Sequence, residues 1–186
     1  RRNFKGDWGA FSVAGMYRTL AGDDAENKLT HTSGYGITSG GKFPIGNRGD
    51  DIRLMGTYGK GLGRYVAANF ITGAIIDEQN NMHSIQSLNG YLALNHYWIP
   101  SRLSSCFNVA VFQAFNRNEW EGLELNNDCY SASVNLKWTP LEQLLFGVEY
   151  MHAYRNKYGG ANGSFDRLQF SAKYKFGHIN KEVQEK

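Results

Sequence analysis

Residues 130–138 read YSASVNLKW, a stretch in which apolar and polar side chains alternate. The even-numbered positions run from Tyr130 through Val134 to Trp138 and are apolar or aromatic, whereas the odd-numbered positions, from Ser131 to Lys137, are all polar. Successive side chains of a β-strand point to opposite faces of its sheet. This period of two therefore predicts a strand with one apolar face and one polar face.

The same alternation recurs along most of the chain. It predicts eight amphipathic strands, which lie at residues 11–17, 35–43, 51–58, 88–98, 102–115, 130–138, 144–155 and 167–176. Several of them exceed the length of about 5–6 residues that is usual in globular proteins. They approach the length of about 9–11 residues that a tilted membrane-spanning strand requires. We therefore predict an all-β fold, with an antiparallel transmembrane β-barrel segment over residues 1–176 and a C-terminal tail over 177–186.

Composition excludes several other classes of protein. The 186 residues carry 20 Lys and Arg against 17 Asp and Glu, a formal net charge of +3. So small an excess is not the dense basic footprint of a nucleic-acid-binding protein, and we expect no nucleic-acid partner. No stretch approaches about 18 consecutive apolar residues, which excludes a transmembrane helix.

The connections between the predicted strands differ in length. Short ones fall at 44–49, 99–101 and 139–143, and long ones at 21–32, 60–87, 116–128 and 156–166. Bacterial outer-membrane barrels have short periplasmic turns and long outer loops, and a girdle of aromatic residues at each interface. We therefore expect a bacterial outer-membrane location. The expected periplasmic girdle is Trp8, Phe43, Trp98, Trp138 and Phe176, and the expected outer girdle is Tyr17, Tyr58, Tyr130 and Tyr154.

The two faces of the predicted strands differ in charge. The apolar-face positions carry no Asp, Glu, Lys or Arg, as expected of a surface in lipid, where a midplane charge costs about 2–4 kcal/mol. The opposite face carries two acids, Asp51 and Glu149, and nine basic residues: Arg18, Lys42, Arg53, Arg102, Lys137, Arg155, Arg167, Lys173 and Lys175. A closed barrel of about eight strands is filled by its own side chains and cannot hold so many unpaired cations. We predict a water-filled lumen and more strands than these eight. The chain is then half of a larger barrel, or its strands pair with another segment.

Two alternatives remain open at this point. Arg18, Arg102, Arg155 and Lys175 can instead sit at strand ends, against lipid phosphates or solvent, an explanation that fits Arg53 and Lys173 less well. The longest connection, 60–87, contains the apolar run FITGAII at 70–76. That run either folds into the lumen as a constriction, packs at a subunit contact, or forms a strand extension followed by a surface loop.

Residues with the potential for covalent chemistry do not form a recognisable set. The five histidines are scattered, no Ser–His–Asp combination falls on one face, and the two cysteines lack the paired spacing of a zinc site. We expect no enzymatic activity, no cofactor and no metal. The predicted register places Cys106 opposite Lys137, too far from Cys129 for a disulfide.

Two stretches resemble a known family, the DcaP-like trimeric outer-membrane porins. They are GDDIR at 49–53 with YGKGLGRY at 58–65, and YLALNHYWIPSR at 91–102. The final stretch LQFSAKYKF at 168–176, with Phe170, Tyr174 and Phe176 at alternate positions, is similar to the general outer-membrane assembly signal. It implies recognition by the barrel-assembly machinery. The tail at 177–186 departs from the family, whose members usually stop at the aromatic residue.

The resemblance covers most of the chain as the C-terminal half of a family member. It implies a sixteen-stranded, homotrimeric channel in outer-membrane lipid and lipopolysaccharide that takes up small anionic solutes such as dicarboxylates. By position, Arg53 and Arg64 match basic residues of the family, so Arg64 joins the candidate pore-lining residues. The alternative is a small closed eight-stranded barrel with a structural or adhesive role. A barrel enzyme of the outer-membrane lipase or protease type and a soluble β-sandwich are the other possibilities.

Overall fold

The computed structural model describes residues 1–66, 70–115 and 125–176. A 3₁₀ turn spans Gly63–Tyr65, and the rest of the regular structure is β. The strands are β1 Arg2–Gly6, β2 Gly9–Asp23, β3 Leu29–Ile45, β4 Asp50–Lys60, β5 Ala74–Ile76, β6 Met82–Ser84, β7 Gln86–Ile99, β8 Leu103–Phe115, β9 Asn126–Leu141, β10 Leu144–Lys157 and β11 Asn162–Tyr174. Among the described residues, no helix is long and apolar enough to span a membrane.

Nine of these strands form one antiparallel sheet, in the order β1-β2-β3-β4-β7-β8-β9-β10-β11. Strands β5 and β6 form a separate hairpin. In the described residues β1 and β11 are the two edges of the main sheet, which is open rather than closed on itself. The eight predicted strands each coincide with one long strand of this sheet, so the all-β antiparallel prediction is confirmed.

The predicted number of strands is wrong, because the sheet also contains β1. This strand has five residues, all of them exposed. Phe4 is its one large apolar side chain, so no alternation reveals the strand in the sequence. The turn after it sets its pairing with β2, because Gly9 adopts a φ of +124° that other residues rarely adopt.

The strands also extend further than their alternating parts. Two predicted long connections reduce to turns at 24–28 and 158–161. Thr30 and Thr32 continue the ladder there, opposite Gly22 and Leu20. Asp24 closes the first turn by accepting hydrogen bonds from the backbone N–H groups of Glu26 and Lys28. The connection 61–85 remains long. The end of the sheet that holds it is called the loop end below, and the opposite end is called the turn end.

The register places the predicted apolar and polar positions on opposite faces. Leu54, Leu92 and Val109 follow one another across three strands on the apolar face. Arg53 lies opposite Ala93 on the polar face. Leu92 is 48% exposed, and no described residue forms a second layer over this face. A soluble β-sandwich would bury it, so that alternative is wrong for the described part of the chain.

The buried core lies on the polar face. Leu62, Val66, Ile71 and Ile85 from the connection 61–85 pack together on Phe112 and Ala114 of β8. The same face contains buried polar residues: Asp51, Ser87, Asn89, Asn95 and Ser104. The two cysteines are free. Cys106 lies opposite Asn135, two residues from the predicted Lys137, and Cys129 lies opposite Phe112.

Candidate functional site

The connection 61–85 folds back over the polar face. Its apolar run includes Ile71, which is 4% exposed in the core cluster. The Phe70 ring meets the Phe112 ring edge-on at 5.1 Å between centroids. Of the alternatives left open by the sequence, the structure therefore supports a segment that packs inside the polar face, and it contradicts a free surface loop.

Backbone hydrogen bonds and glycines fix this connection. The Gly61 N–H donates to the Ile85 carbonyl at 2.8 Å, and the Ile85 N–H donates to the Gly73 carbonyl at 3.0 Å. Gly61 has a φ of +65°, and a Cβ there would lie 2.9 Å from the Cα of Gly34 on β3. A larger residue at position 61 would therefore separate the connection from the sheet.

A buried carboxylate organises the basic residues of β3 and β4. Lys42 and Arg53 lie directly opposite each other across the two strands. Asp51 is 2% exposed and accepts two hydrogen bonds from Arg53, at 2.6 Å from Nε and 3.2 Å from Nη2. The Lys42 Nζ lies 3.4 Å from the same carboxylate. The acid is hidden while both cations stay about half exposed, so this cluster presents net positive charge.

A second charged pair lies at the other side of the sheet. Arg167 donates to Glu149 Oε1 at 3.0 Å, and Asn135 Nδ2 lies 3.5 Å from the other carboxylate oxygen. Both predicted acids of the polar face, Asp51 and Glu149, are thus paired with basic or amide side chains.

The remaining predicted basic residues divide into two groups. Arg18, Lys137, Arg155 and Lys173 lie on the polar face within strands, and no carboxylate of the described residues is within salt-bridge distance of them. Arg102 lies in the turn between β7 and β8, and Lys175 follows the end of β11. The interpretation as strand-end cations therefore applies to these last two residues.

The 3₁₀ turn places Arg64 and Tyr65 over the polar face. The Arg64 Nη2 donates to the Tyr65 hydroxyl at 3.4 Å, and its guanidinium lies 5.3 Å from the ring centroid. The guanidinium of Arg18 lies 5.5 Å from the same ring. The hydrogen bond and the positive charge of Arg64, with a smaller contribution from Arg18, lower the pKa of Tyr65.

A cavity of about 520 Å³ lies between this connection and the sheet. The connection contributes Arg64, Tyr65 and Phe70 to its wall, and the polar face contributes others that include Asn89, Tyr91 and Ser131. Among these residues, sequence reasoning singled out Arg64 as a site residue. It missed Tyr65, whose role depends on contacts with Arg18, 47 positions away in the chain.

The apolar face carries aromatic pairs near both ends. Trp8 stacks on Phe43, and Trp138 stacks on Phe146, at the turn end. Tyr130 stacks on Tyr154 towards the loop end. All members of these pairs except Phe146 belong to the predicted girdles. Tyr130 and Trp138 are eight residues apart, or about 26 Å along a strand at about 3.3 Å per residue, which after tilt suits an apolar band of about 25 Å.

The longer strands bring acidic residues onto the ends of the apolar face. Asp50 lies at the turn end and bonds to His96 and to the Tyr97 N–H. Asp166 lies towards the loop end, where Tyr150 and His152 bond to its carboxylate. The uncharged part of the face is therefore bounded by hydrogen-bonded polar groups.

The residues of the predicted assembly signal lie at the end of the described chain. Phe170 and Tyr174 are exposed on β11, on the apolar face. Phe176 follows the strand, with its ring 4.7 Å from that of Tyr174. The predicted tail at 177–186 lies outside the described residues.

The sequence and the fold have counterparts among known proteins. A family model described as DcaP outer membrane protein matches residues 3–176. The crystal structure of the outer membrane channel DcaP of Acinetobacter baumannii matches with a TM-score of 0.72 and 16% identity, over 94% of this chain and 61% of that chain. The NanC porin matches with a TM-score of 0.46 and 12% identity, over 94% of this chain and 90% of that chain. No curated protein matches. The chain thus spans about three fifths of the length of the first solved structure, and the likeness is one of fold.

Proposed function

The chain belongs to the DcaP outer membrane protein family, and on this premise we propose that it forms part of a water-filled channel for small anionic solutes such as dicarboxylates. Family membership places the protein in the bacterial outer membrane. One observation carries the proposal, namely the division of charge between the two faces. In the eight predicted strands the apolar face is exposed and carries no Asp, Glu, Lys or Arg, whereas the polar face collects basic residues.

The arrangement of the cations supports anion selectivity. Asp51 is nearly fully buried beneath Lys42 and Arg53, so a solute on this face meets the cations rather than the acid. Glu149 is held by Arg167. Rings or patches of Lys and Arg lower the barrier for anions in pores. With Asp51 hidden and Glu149 paired with Arg167, the polar face attracts small carboxylates and repels cations.

The open sheet supports a larger barrel. An unpaired strand edge does not persist in lipid, because its backbone N–H and C=O groups have no water to bond. We propose that further strands of the same protein close the sheet between β1 and β11. We also propose that the barrel sits in outer-membrane lipid and lipopolysaccharide as a homotrimer, assembled by the barrel-assembly machinery through Phe170, Tyr174 and Phe176. A closed eight-stranded barrel is not favoured, because the described sheet has nine strands and two free edges.

This function requires no covalent chemistry. Selectivity comes from the electrostatic field of fixed side chains and from the width left by the connection 61–85. We accordingly propose a passive channel without enzymatic activity.

The test is the reversal potential of the full-length protein in a planar lipid bilayer under a KCl gradient. We expect a potential that favours chloride over potassium. The double variant Lys137→Glu/Lys173→Glu reverses two cations on the polar face and is expected to shift the potential towards cation preference. Lys28→Glu, in the turn at 24–28, is the control for a single charge reversal outside the strands. Cation preference in the unmodified protein would contradict the proposal, as would the absence of any conductance.

A further inference from the structure

We propose that Arg18 and Tyr65 form a clamp that positions Arg64 over the polar face, so that Arg18 is a positioning residue rather than a free cation of the lumen. The inference rests on the proposed channel function, and it adds a specificity-determining role for Tyr65. It comes from three side chains on two separate segments, β2 and the 3₁₀ turn of the connection 61–85.

Arg18 is built into the underside of the connection. It lies on the polar face of β2, opposite Gly34, and its Nε atom is buried without a hydrogen-bond partner among the described residues. A Cβ added to Gly73 would lie 2.5 Å from the Arg18 Nη2, and one added to Gly63 would lie 3.3 Å from it. The two glycines therefore leave the space that this guanidinium occupies.

Tyr65 brings two like charges together. The guanidiniums of Arg18 and Arg64 lie 5.5 Å and 5.3 Å from the centroid of its ring. The negative face of an aromatic ring attracts each of these cations, which offsets the repulsion between them. The Tyr65 hydroxyl adds an acceptor for Arg64 at 3.4 Å. This long hydrogen bond is weak, so the ring is expected to contribute more than the hydroxyl.

The clamp fixes the position of the Arg64 guanidinium over the polar face. Arg64 is exposed at the wall of the cavity between the connection and the sheet. A free arginine side chain samples many rotamers, whereas one held on a ring presents its charge at a fixed place. Tyr65 and Arg18 therefore control how strongly Arg64 contributes to anion preference, although neither is required to touch the solute.

The test compares Tyr65→Phe, Tyr65→Leu and Arg18→Gln in the full-length protein. Tyr17→Leu is the control, because Tyr17 is exposed on the apolar face and contacts Ser33 rather than the connection. The first measurement is the rate at which trypsin cleaves after Arg64 in protein embedded in liposomes. The second is the reversal potential under a KCl gradient.

We expect Tyr65→Leu and Arg18→Gln to raise the rate of cleavage after Arg64 by about two- to fivefold, the range that corresponds to an exposed cation–π contact. Both variants are also expected to lower the anion-to-cation permeability ratio. Tyr65→Phe retains the ring and is expected to stay close to the unmodified protein in both measurements, as is Tyr17→Leu.

The two measurements separate the clamp from the channel proposal. If the unmodified protein lacks anion preference, the proposed function fails, and faster cleavage in Tyr65→Leu still supports the clamp. If the unmodified protein prefers anions but Tyr65→Leu changes neither cleavage nor permeability ratio, the clamp is contradicted. A Tyr65→Phe variant as impaired as Tyr65→Leu would also overturn it, because the ring would then not be the operative group.

Discussion

The apolar and polar faces of this sheet are built from the same strands, yet they satisfy opposite physical requirements. On the apolar face, large side chains stand exposed, with Phe170 at 74%, and polar groups appear at its ends. On the polar face, both acids are paired with basic residues, Asp51 is nearly fully buried, and a folded segment covers part of the surface. One period-two register therefore fixes which side chains meet each environment, because a shift of one residue would exchange the faces.

The largest expected effect comes from placing the same charge on either face of β8. Val109→Lys puts an ammonium on the apolar face, where lipid contact costs about 2–4 kcal/mol at the bilayer midplane. Asn108→Lys puts it on the neighbouring position of the polar face and is expected to cost less than about 1 kcal/mol. Guanidinium titration of the protein folded into lipid vesicles measures both. Equal losses would remove the distinction between the faces.

The strand positions could be predicted because alternation is a local property of the sequence. Residues 130–138 carry that signal in full, and β9 contains them. The face of each charged residue followed from the same parity. Strand β1 could not be predicted in this way, because its five residues do not alternate. It is a strand because it pairs with β2.

The place of the connection 61–85 could not be predicted, because an apolar run packs equally well in a lumen, at a subunit contact or in a strand. Long-range contacts settle it, above all Ile71 and Phe70 against Phe112. The shared use of Asp51 by Lys42 and Arg53 likewise depends on the register between β3 and β4. That register cannot be read from either strand alone.

The next largest effect is expected within the segment that covers the polar face. Ile71→Ala removes buried methyl groups from the core cluster and is expected to cost about 2 kcal/mol, the lower end for such a truncation. Exchange of the Gly61 and Ile85 amides, which bond across this segment, is expected to accelerate. Thr72→Ala is the control, because Thr72 is exposed and its side chain bonds to the Ala74 carbonyl. Unchanged exchange in Ile71→Ala would show that the cluster does not hold the segment.

A smaller effect is expected from neutralising the buried acid. Asp51→Asn leaves Lys42 and Arg53 without their shared carboxylate. Because both cations are about half exposed, water solvates them and offsets much of the lost ion-pair free energy. We expect destabilisation of about 1–2 kcal/mol and stronger anion preference in bilayer recordings. Glu149→Gln makes the same charge change at the second cluster and should alter selectivity in the same direction. If Asp51→Asn instead weakened anion preference, the polar face would not act through its cations.

The smallest effect concerns the β5–β6 hairpin, outside the strands of the main sheet. The pKa of Asp77 lies below its ordinary value of 3.8, chiefly because the Asn81 backbone N–H bonds to the carboxylate and then because His83 does so. A lowered pKa means that Asp77 stabilises the hairpin above pH 3.8, and that this contribution disappears as the pH falls through the lowered value. An NMR titration of the Asn81 amide should show a midpoint below 3.8. Asp77→Asn should abolish that step, and a midpoint above 3.8 would contradict the assignment.

The most direct test of the two-face account is thiol labelling along β9. Single cysteines at 131–137, in a Cys106→Ser/Cys129→Ser background, are exposed to a charged, membrane-impermeant thiol reagent with the protein in lipid vesicles. We expect cysteines at positions 131, 133, 135 and 137 to react, and lipid to protect cysteines at positions 132, 134 and 136. Uniform reactivity along the strand, or the reverse alternation, would contradict it.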